Sequence, residues 1–305
     1  MGSLREIKDR IGSVRSTLKI TSAMKLVASS KLRKAQKAIE ALRPYQQALE
    51  GILAEVSGNS VPTSCDVAAG PVAGSRTLIV AIASNSSLCG SFNNNIASKV
   101  LAAARSRDNV EVLSLGRKMA DAMRKASYPS RKNLDGIVAR PSYEDAARLS
   151  EDLTESFESG KYDEILLAYN HFESASRQVP TIERYLVREA AGTGKDRTDA
   201  GDCGDNTPDI TDKETIDLPG EKYIFEPARN EIMQELRPKM LALTLFAAIL
   251  DSAAAEHAAR TVAMQTASDN AEEILGDLTL EYNKGRQQKI TAEILDLTAG
   301  ISNEK

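Results

Sequence analysis

Two histidines, His171 and His257, and three cysteines, Cys65, Cys89 and Cys203, are the chain's whole supply of the side chains that most often bind zinc or act as nucleophiles. Neither histidine has a Cys or His near it at metal-ligand spacing, so a zinc site is not expected. His257 follows Glu256 in a helical stretch and reads as a solvated position. Cys89 has no base close by in sequence and reads as a small buried residue. An odd, sparse set of cysteines is no disulfide framework and implies a reducing compartment. Phosphate chemistry fares no better. "ASNSSLCGSFNNN" (83–95) follows a strand, where nucleotide-binding folds hold phosphates, yet it has neither G-x-G-x-x-G nor a closing G-K-[ST]. "GTGKDRT" (192–198) lacks a strand before it and a Ser or Thr after Lys195. No carboxylate pair stands in a catalytic context. These residues predict no catalytic centre, no cofactor and no metal.

The elements are more informative than the candidate chemistry. Ser3 and Glu6 form a capping box that starts a helix. A heptad frame then runs through 4–56, with a positions Leu4, Ile11, Leu18, Lys25, Leu32, Ile39, Gln46 and Leu53. The d positions are Ile7, Val14, Thr21, Ala28, Ala35, Leu42, Leu49 and Val56, and thirteen of the sixteen are apolar. A seam sustained that long predicts a coiled coil. Pro44 falls inside it and predicts a bend near Arg43. Residues 57–75, rich in Gly, Ser and Pro, end the element.

Strand and helix patterns alternate from 76 to 188: "TLIVAIA" (77–83), a helix at 96–107, "NVEVLSLG" (109–116), a helix at 117–126, a helix at 143–160, "YDEILLAYN" (162–170) and "QVPTIERYLV" (178–187). This predicts a small, Rossmann-like, mostly parallel α/β domain over 75–189. Residues 190–222 read as an acidic, solvated insertion, with eight acids between Asp196 and Asp217. The helical pattern returns at Ala228 and lasts to about Ile301. Apolar spacing recurs at Met264, Ala267, Ala271, Ile274 and Leu278, then at Ile290, Ile294, Leu297 and Ile301. Pro238 predicts a kink near its start. The organisation is thus a helix over 1–58, an α/β foot with its insertion, and a helix over 223–305, the two helices packed as a long antiparallel coiled coil.

Net charge is −4, but residues 3–50 hold eleven Lys/Arg against four Asp/Glu. The cations are interleaved with a coiled-coil seam and lack stacking aromatics, which argues against nucleic acid. No apolar run reaches the ~20 residues that span a bilayer. The helical pattern starts at once, with no signal or transit pattern before it. One stretch breaks the frame. In "KITSAMKLVAS" (19–29) the seam carries Thr21 and Lys25, while Ile20, Met24, Leu26 and Val27 fall on faces that should be wet. From these features alone, a coiled-coil scaffold and an α/β enzyme with coiled-coil arms both stay open.

Three stretches carry a resemblance. They are "IGSVRSTLKITSAMKLVASSKLRKAQ" with "RPY" after it (11–45), the middle domain with "LCG" (88–90) and "QVPTIERY" (178–185), and "EHAARTVAMQTASDNAEEILGDLTLEYNKGRQQKITAEILDLTAG" (256–300). With these the chain resembles the gamma subunits of F-type ATP synthases, over nearly its whole length except the insertion. The resemblance implies a non-catalytic rotor. Its axle stands within a ring of three alpha and three beta subunits, and its foot binds the epsilon subunit and the membrane c ring. Proton flow drives rotation, and ATP is made in the beta subunits. A peripheral place on the cytoplasmic face of a bacterial energy-transducing membrane is expected, with no nucleic-acid partner.

Position by position, Lys19, Ile20, Met24 and Lys25 resemble the segment level with an acidic loop of beta. Arg260 resembles the arginine coupled to that segment. Arg286 and Gln287 in "GRQQ" resemble a pair that meets a beta loop, and Thr291 and Glu293 resemble polar residues near the axle tip. The chain departs from the family in two small respects. "NSSLCGSFN" lacks the Arg-Gly that usually precedes "LCG", and Ile301 follows Gly300 where alanine is common. The insertion resembles that of photosynthetic relatives in place but holds only Cys203, so an internal dithiol switch is not expected. Asp196, Cys203 and Asp217 mark it as a candidate regulatory segment, a brake on ATP hydrolysis.

Overall fold

A computed structural model describes residues 4–56, 76–107, 109–128, 134–188 and 229–302. Ser3 and the acidic segment with Asp196, Cys203 and Asp217 lie outside the described residues. Among the described residues, six helices and four strands follow in the order α1 (Leu4–Val56), β1 (Arg76–Ile82), α2 (Phe92–Arg105), β2 (Asn109–Leu115), α3 (Arg117–Lys125), α4 (Asp135–Ala139), α5 (Tyr143–Glu158), β3 (Glu164–Phe172), β4 (Gln178–Val187) and α6 (Arg229–Ser302).

The heptad frame of α1 is the frame of its burial. All sixteen a and d positions are buried or half-buried. Their cover is α6, running antiparallel. Leu4 lies against Gly285, close enough that a Cβ there would sit 3.1 Å from the leucine Cδ2. Thr21 Oγ1 and Ser268 Oγ are 2.8 Å apart. Seventeen residues separate the two α1 members of these pairs and seventeen separate their α6 partners, so one register holds throughout. It continues downward to Leu49 and Leu53, which pack on Leu243 with Met233, Leu236 and Met240 around them. Both helices run unbroken through Pro44 and Pro238. Each proline is exposed, so its ring meets solvent while the opposite face keeps its packing. That packing outweighs a proline penalty of roughly 3 kcal/mol.

The seam of α6 differs from the sequence reading at Ile274 and, toward the tip, at Ile290 and Ile294, which are exposed. Met264 and Ala271 are buried as predicted, but Ile274 is 49% exposed. Leu275 and Leu278 are half-buried and continue the seam.

The foot is a four-stranded sheet of order β2-β1-β3-β4. β1 is parallel to both β2 and β3, while β4 is antiparallel to β3. β1 is buried at six of its seven positions and β3 at its first seven, the continuous apolar run that a doubly covered parallel strand requires. α2 and α3 cover one face, through Ile96, Val100, Met119 and Met123. α5 covers the other with Leu149 and Leu153, beside Leu245, Ala248 and Ile249 of α6. The lower part of α6 is therefore core to the foot and to the coiled coil at once, which is why its sequence there is apolar all round. By length and composition α6 contains a stretch able to cross a bilayer, contrary to the sequence count. More than half of that stretch is buried inside the protein.

Two polar devices tie the foot together, and neither has a sequence signature. Glu164, 2% exposed at the start of β3, lies 3.5 Å from Arg107 Nε and 3.3 Å from Arg184 Nε. Thr77 Oγ1 donates to it at 3.4 Å. At the other end of β3, Asp251 of α6 accepts from the Phe172 amide at 3.1 Å and pairs with His171 Nδ1 at 2.5 Å. That hydrogen bond raises the pKa of His171 above its ordinary 6.5, against a smaller opposing effect of burial.

Glu164→Gln removes the charge that faces the buried Arg107 guanidinium and the half-buried Arg184. It is expected to cost about 3 kcal/mol, read as a lower midpoint in thermal or urea unfolding. The His171–Asp251 pair predicts a pH dependence of known sign. A pKa raised by folding gives stability that is complete below pH 6.5 and lost as pH rises through the folded value. The gap in melting temperature between wild type and His171→Gln should be widest below pH 6.5 and narrow toward pH 8.5. With half of His171 exposed, its size stays below about 1 kcal/mol. A gap that widens with pH would contradict the assignment.

Candidate functional interface

The stretch that breaks the heptad frame is a pair of opposed faces over two to three turns of axle. Thr21 points inward, 8% exposed, and its hydroxyl is shared between the Leu18 carbonyl at 3.1 Å and Ser268. The seam is therefore not open at Thr21, as its polarity suggests, but closed by a satisfied hydroxyl pair. Lys25 is half-buried, its stem along the seam. On the outer faces Ile20 is 60% exposed, Leu26 71% and Val27 57%. Met24 is half-buried rather than surface-lying, because it flanks the seam position Lys25. Lys19 is exposed, and among the described residues neither Lys19 nor Lys25 has an acidic partner. The result is an apolar strip with ammonium groups at its edges.

The tip is a single helix. Leu4 already stands opposite Gly285. Residues 286–302 therefore run on past the described start of α1 for roughly 25 Å at about 1.5 Å per residue. Arg286 and Gln287 are exposed there, as are Ile290, Ile294 and Leu295. Thr291 donates to the Gln287 carbonyl at 3.0 Å, and Glu293 pairs with Lys289 at 3.8 Å. These polar groups satisfy one another along the helix and leave its apolar side chains uncovered.

Arg260, which the sequence reading couples to residues 19–27, lies at the junction of axle and foot. Its guanidinium reaches Glu256 Oε1 at 2.6 Å and donates to Ser86 Oγ at 2.8 Å and the Ser87 carbonyl at 3.5 Å. Arg260 is 9% exposed and Glu256 8%. His257, one step round the helix, is half-buried rather than solvated. Burial, with Arg260 and Lys31 nearby, pushes its pKa down to about 4, so it is neutral at physiological pH.

The loop that receives Arg260 joins β1 to α2, and it is shorter than the sequence suggests. The predicted loop ends at Asn95, but α2 already begins at Phe92. Asn93 folds back so that its Oδ1 accepts from the Ser84 amide at 3.1 Å and the Ser84 hydroxyl at 3.0 Å. Cys89 is buried beneath, with Phe92 and Ala255, as expected of a small buried residue. Leu88 stands in the left-handed region at φ +67°, unusual for a leucine, and is 57% exposed. Gly116 closes the neighbouring turn at φ +102°, where a Cβ would fall 2.2 Å from the Ala83 carbonyl oxygen. Neither Ser86 nor Leu88 could be singled out by pattern, because their role depends on α6 passing over a loop some 170 residues away in sequence.

Among the described residues no group of three or more His, Cys, Asp or Glu could hold a metal ion. A groove of about 730 Å³ lies between α1, α6 and the β3–β4 face, lined among others by Arg43, Gln47, His171, Glu183 and Arg184.

A family model described as ATP synthase matches residues 3–303. The chain is 43% identical to the ATP synthase gamma chain of Phocaeicola vulgatus over 306 residues, 98% of this chain and 99% of that one. It is 40% identical to the ATP synthase gamma chain of Bacteroides fragilis over the same length and coverage. Among solved structures it resembles a chain of the Euglena gracilis mitochondrial ATP synthase, TM-score 0.67 at 19% identity, covering 98% of this chain and 93% of that one. A chain from the central stalk and c-ring of the Tetrahymena thermophila enzyme gives a TM-score of 0.55 at 24% identity, covering 82% and 99%. These structural likenesses speak for the fold, and the closer sequence relatives for the family: the chain belongs to the ATP synthase gamma-chain family.

Proposed function

We infer that the chain is the torque-bearing central stalk of a proton-translocating ATP synthase and carries no catalytic site of its own. One observation supports this above others: a long two-helix axle keeps a single internal register yet exposes apolar side chains at 20, 26 and 27 and along a lone tip. An isolated coiled coil gains nothing from that exposure, whereas an axle turning inside a ring of subunits meets successive partners there. In this reading the axle stands in a ring of three alpha and three beta subunits, and the foot binds epsilon and the c ring. Proton flow through the membrane sector turns the stalk. Each orientation stabilises a different set of beta conformations, which is how rotation becomes ATP synthesis. The chain lies peripherally, on the cytoplasmic face of a bacterial inner membrane.

Lys19, Ile20, Met24 and Lys25 serve as the contact zone for an acidic beta loop. Arg286 and Gln287 meet a beta loop higher up, and Thr291 and Glu293 serve near the tip. Arg260 supports the coupling from the junction. The acidic segment containing Asp196, Cys203 and Asp217 acts as a brake on ATP hydrolysis.

Purification of the native complex should yield this chain at one copy per three alpha and three beta subunits. In inverted membrane vesicles, Met24→Lys should then reduce proton pumping per ATP hydrolysed, because an added cation grips the acidic loop too firmly. A chain that purifies alone and binds nucleotide tightly would defeat the rotor reading. Unchanged pumping in Met24→Lys would remove the contact zone from it. Deleting residues 192–219 should raise the ATPase activity of the assembled complex, and unchanged activity would exclude the brake.

A further inference from the structure

Foot and axle must turn as one body if torque is to pass between them. The β3 end of the foot is fastened to α6 by Asp251, through His171 and the Phe172 amide. The β1 end needs a fastening too, since the β1–α2 loop leaves the sheet and runs along α6. The loop passes within van der Waals reach of the helix: a Cβ on Gly90 would lie 3.9 Å from the Ala263 Cβ. Apolar contact alone holds Cys89 and Phe92 against Ala255 and Ala259 below. Among the described residues, the exposed part of the loop, Ser86 to Leu88, has one polar tie to the axle, the Arg260 guanidinium.

The geometry of that guanidinium is that of a strut. Glu256, one turn earlier on α6, holds one nitrogen at 2.6 Å and satisfies the buried charge. The other nitrogen is thereby aimed at the loop, at 2.8 Å from Ser86 Oγ. A planar fork anchored on one side and donating on the other fixes direction as well as distance, which a lysine ammonium does not. What it fixes is a strained piece of chain. Leu88 stands at φ +67° with its side chain largely in solvent, so neither local preference nor burial explains its conformation. Such strain persists only where the surroundings over-determine it. In the axle register, Leu26 and Val27 of α1 and the exposed Val262 of α6 lie at the same height as this loop.

We propose that Arg260 is a positioning residue that locks the β1–α2 loop onto the axle, so that the foot and α6 turn as one stiff body with Leu88 held outward beside the contact zone. This rests on the rotor reading and gives Arg260 a different role from direct contact with a neighbouring subunit. Its effect on coupling passes through Ser86 and Ser87.

The test uses the assembled complex in inverted vesicles with Arg260→Gln, Arg260→Lys and Ser86→Ala. Two quantities are read: hydrogen exchange of the amides of residues 85–91, and protons pumped per ATP hydrolysed. Arg260→Gln should speed exchange in the loop by about tenfold or more and lower the pumping ratio. Ser86→Ala, which removes only an exposed hydroxyl, should move both readouts the same way by a smaller factor. Arg260→Lys, keeping the ion pair with Glu256 but not the fork, should fall between wild type and Arg260→Gln. A lower pumping ratio with loop exchange unchanged in Arg260→Gln overturns the proposal, as does faster exchange with the ratio unchanged. Should Arg260→Gln fail to fold, Ser86→Ala decides by the same two criteria. Failure of the wild-type chain to assemble with alpha and beta would instead refute the rotor reading, leaving the loop measurement to be read on the isolated chain.

Discussion

Everything else in this molecule depends on the antiparallel seam between α1 and α6. Neither helix has enough self-contained stability to stand alone at such length in water. Each presents one apolar stripe and must bury it against the other. The two helices are the two ends of the chain, so the seam closes over the whole sequence between them. Its register is set by small numbers of specific contacts: a glycine that admits Leu4 at the top, a hydroxyl pair at Thr21 and Ser268, and a leucine and methionine cluster at the base. A buried polar pair within an apolar seam discriminates between registers, because a slip would leave both hydroxyls without partners.

The seam also decides what remains outside it. Side chains are small along its upper part, with Ala28, Ala258 and Ala271 buried there. A narrow seam covers little surface on either helix, and the larger apolar groups at 20, 26 and 27 lie beyond its reach. Past Gly285 there is no described partner helix at all, and the apolar side chains of the tip stand uncovered. Exposure of this kind is a property of the axle's geometry before it is a property of any partner.

Lower down, the same helix changes partners without changing direction. α6 turns one face to α1 and another to the sheet, so the foot has no core separable from the axle. Polar contacts mark where the two meet: Asp251 at the end of β3 and Arg260 over the loop after β1. Both lie on α6, and both are paired on the foot side with groups from loops or strand ends. The two histidines sit at this junction with opposite responses to protons, His171 drawn toward its charged form by Asp251 and His257 held neutral by burial.

Much of this was legible in the residues. The heptad frame of α1 predicted its buried positions, since a period of 3.5 over eight heptads leaves little freedom. Continuous apolar runs identified the strands, and the motifs at both ends carried the family. Periodicity could not supply partners. It put a lone hydroxyl, Thr21, in an apolar seam, and only the arrival of Ser268 from the other end of the chain makes it a closed contact. It placed Ile274 in the seam where the supercoil takes Leu275, a shift of one residue within a run of apolar choices. It left His257 in solvent and gave no sign of the contacts Arg260 makes with Ser86 and Ser87, because spacing along one helix does not say which loop passes over it. Sequence determined the elements, their stripes and the family. Tertiary structure decided which polar groups are satisfied and which apolar groups are left over, because both depend on residues that meet only after the ends of the chain are brought together.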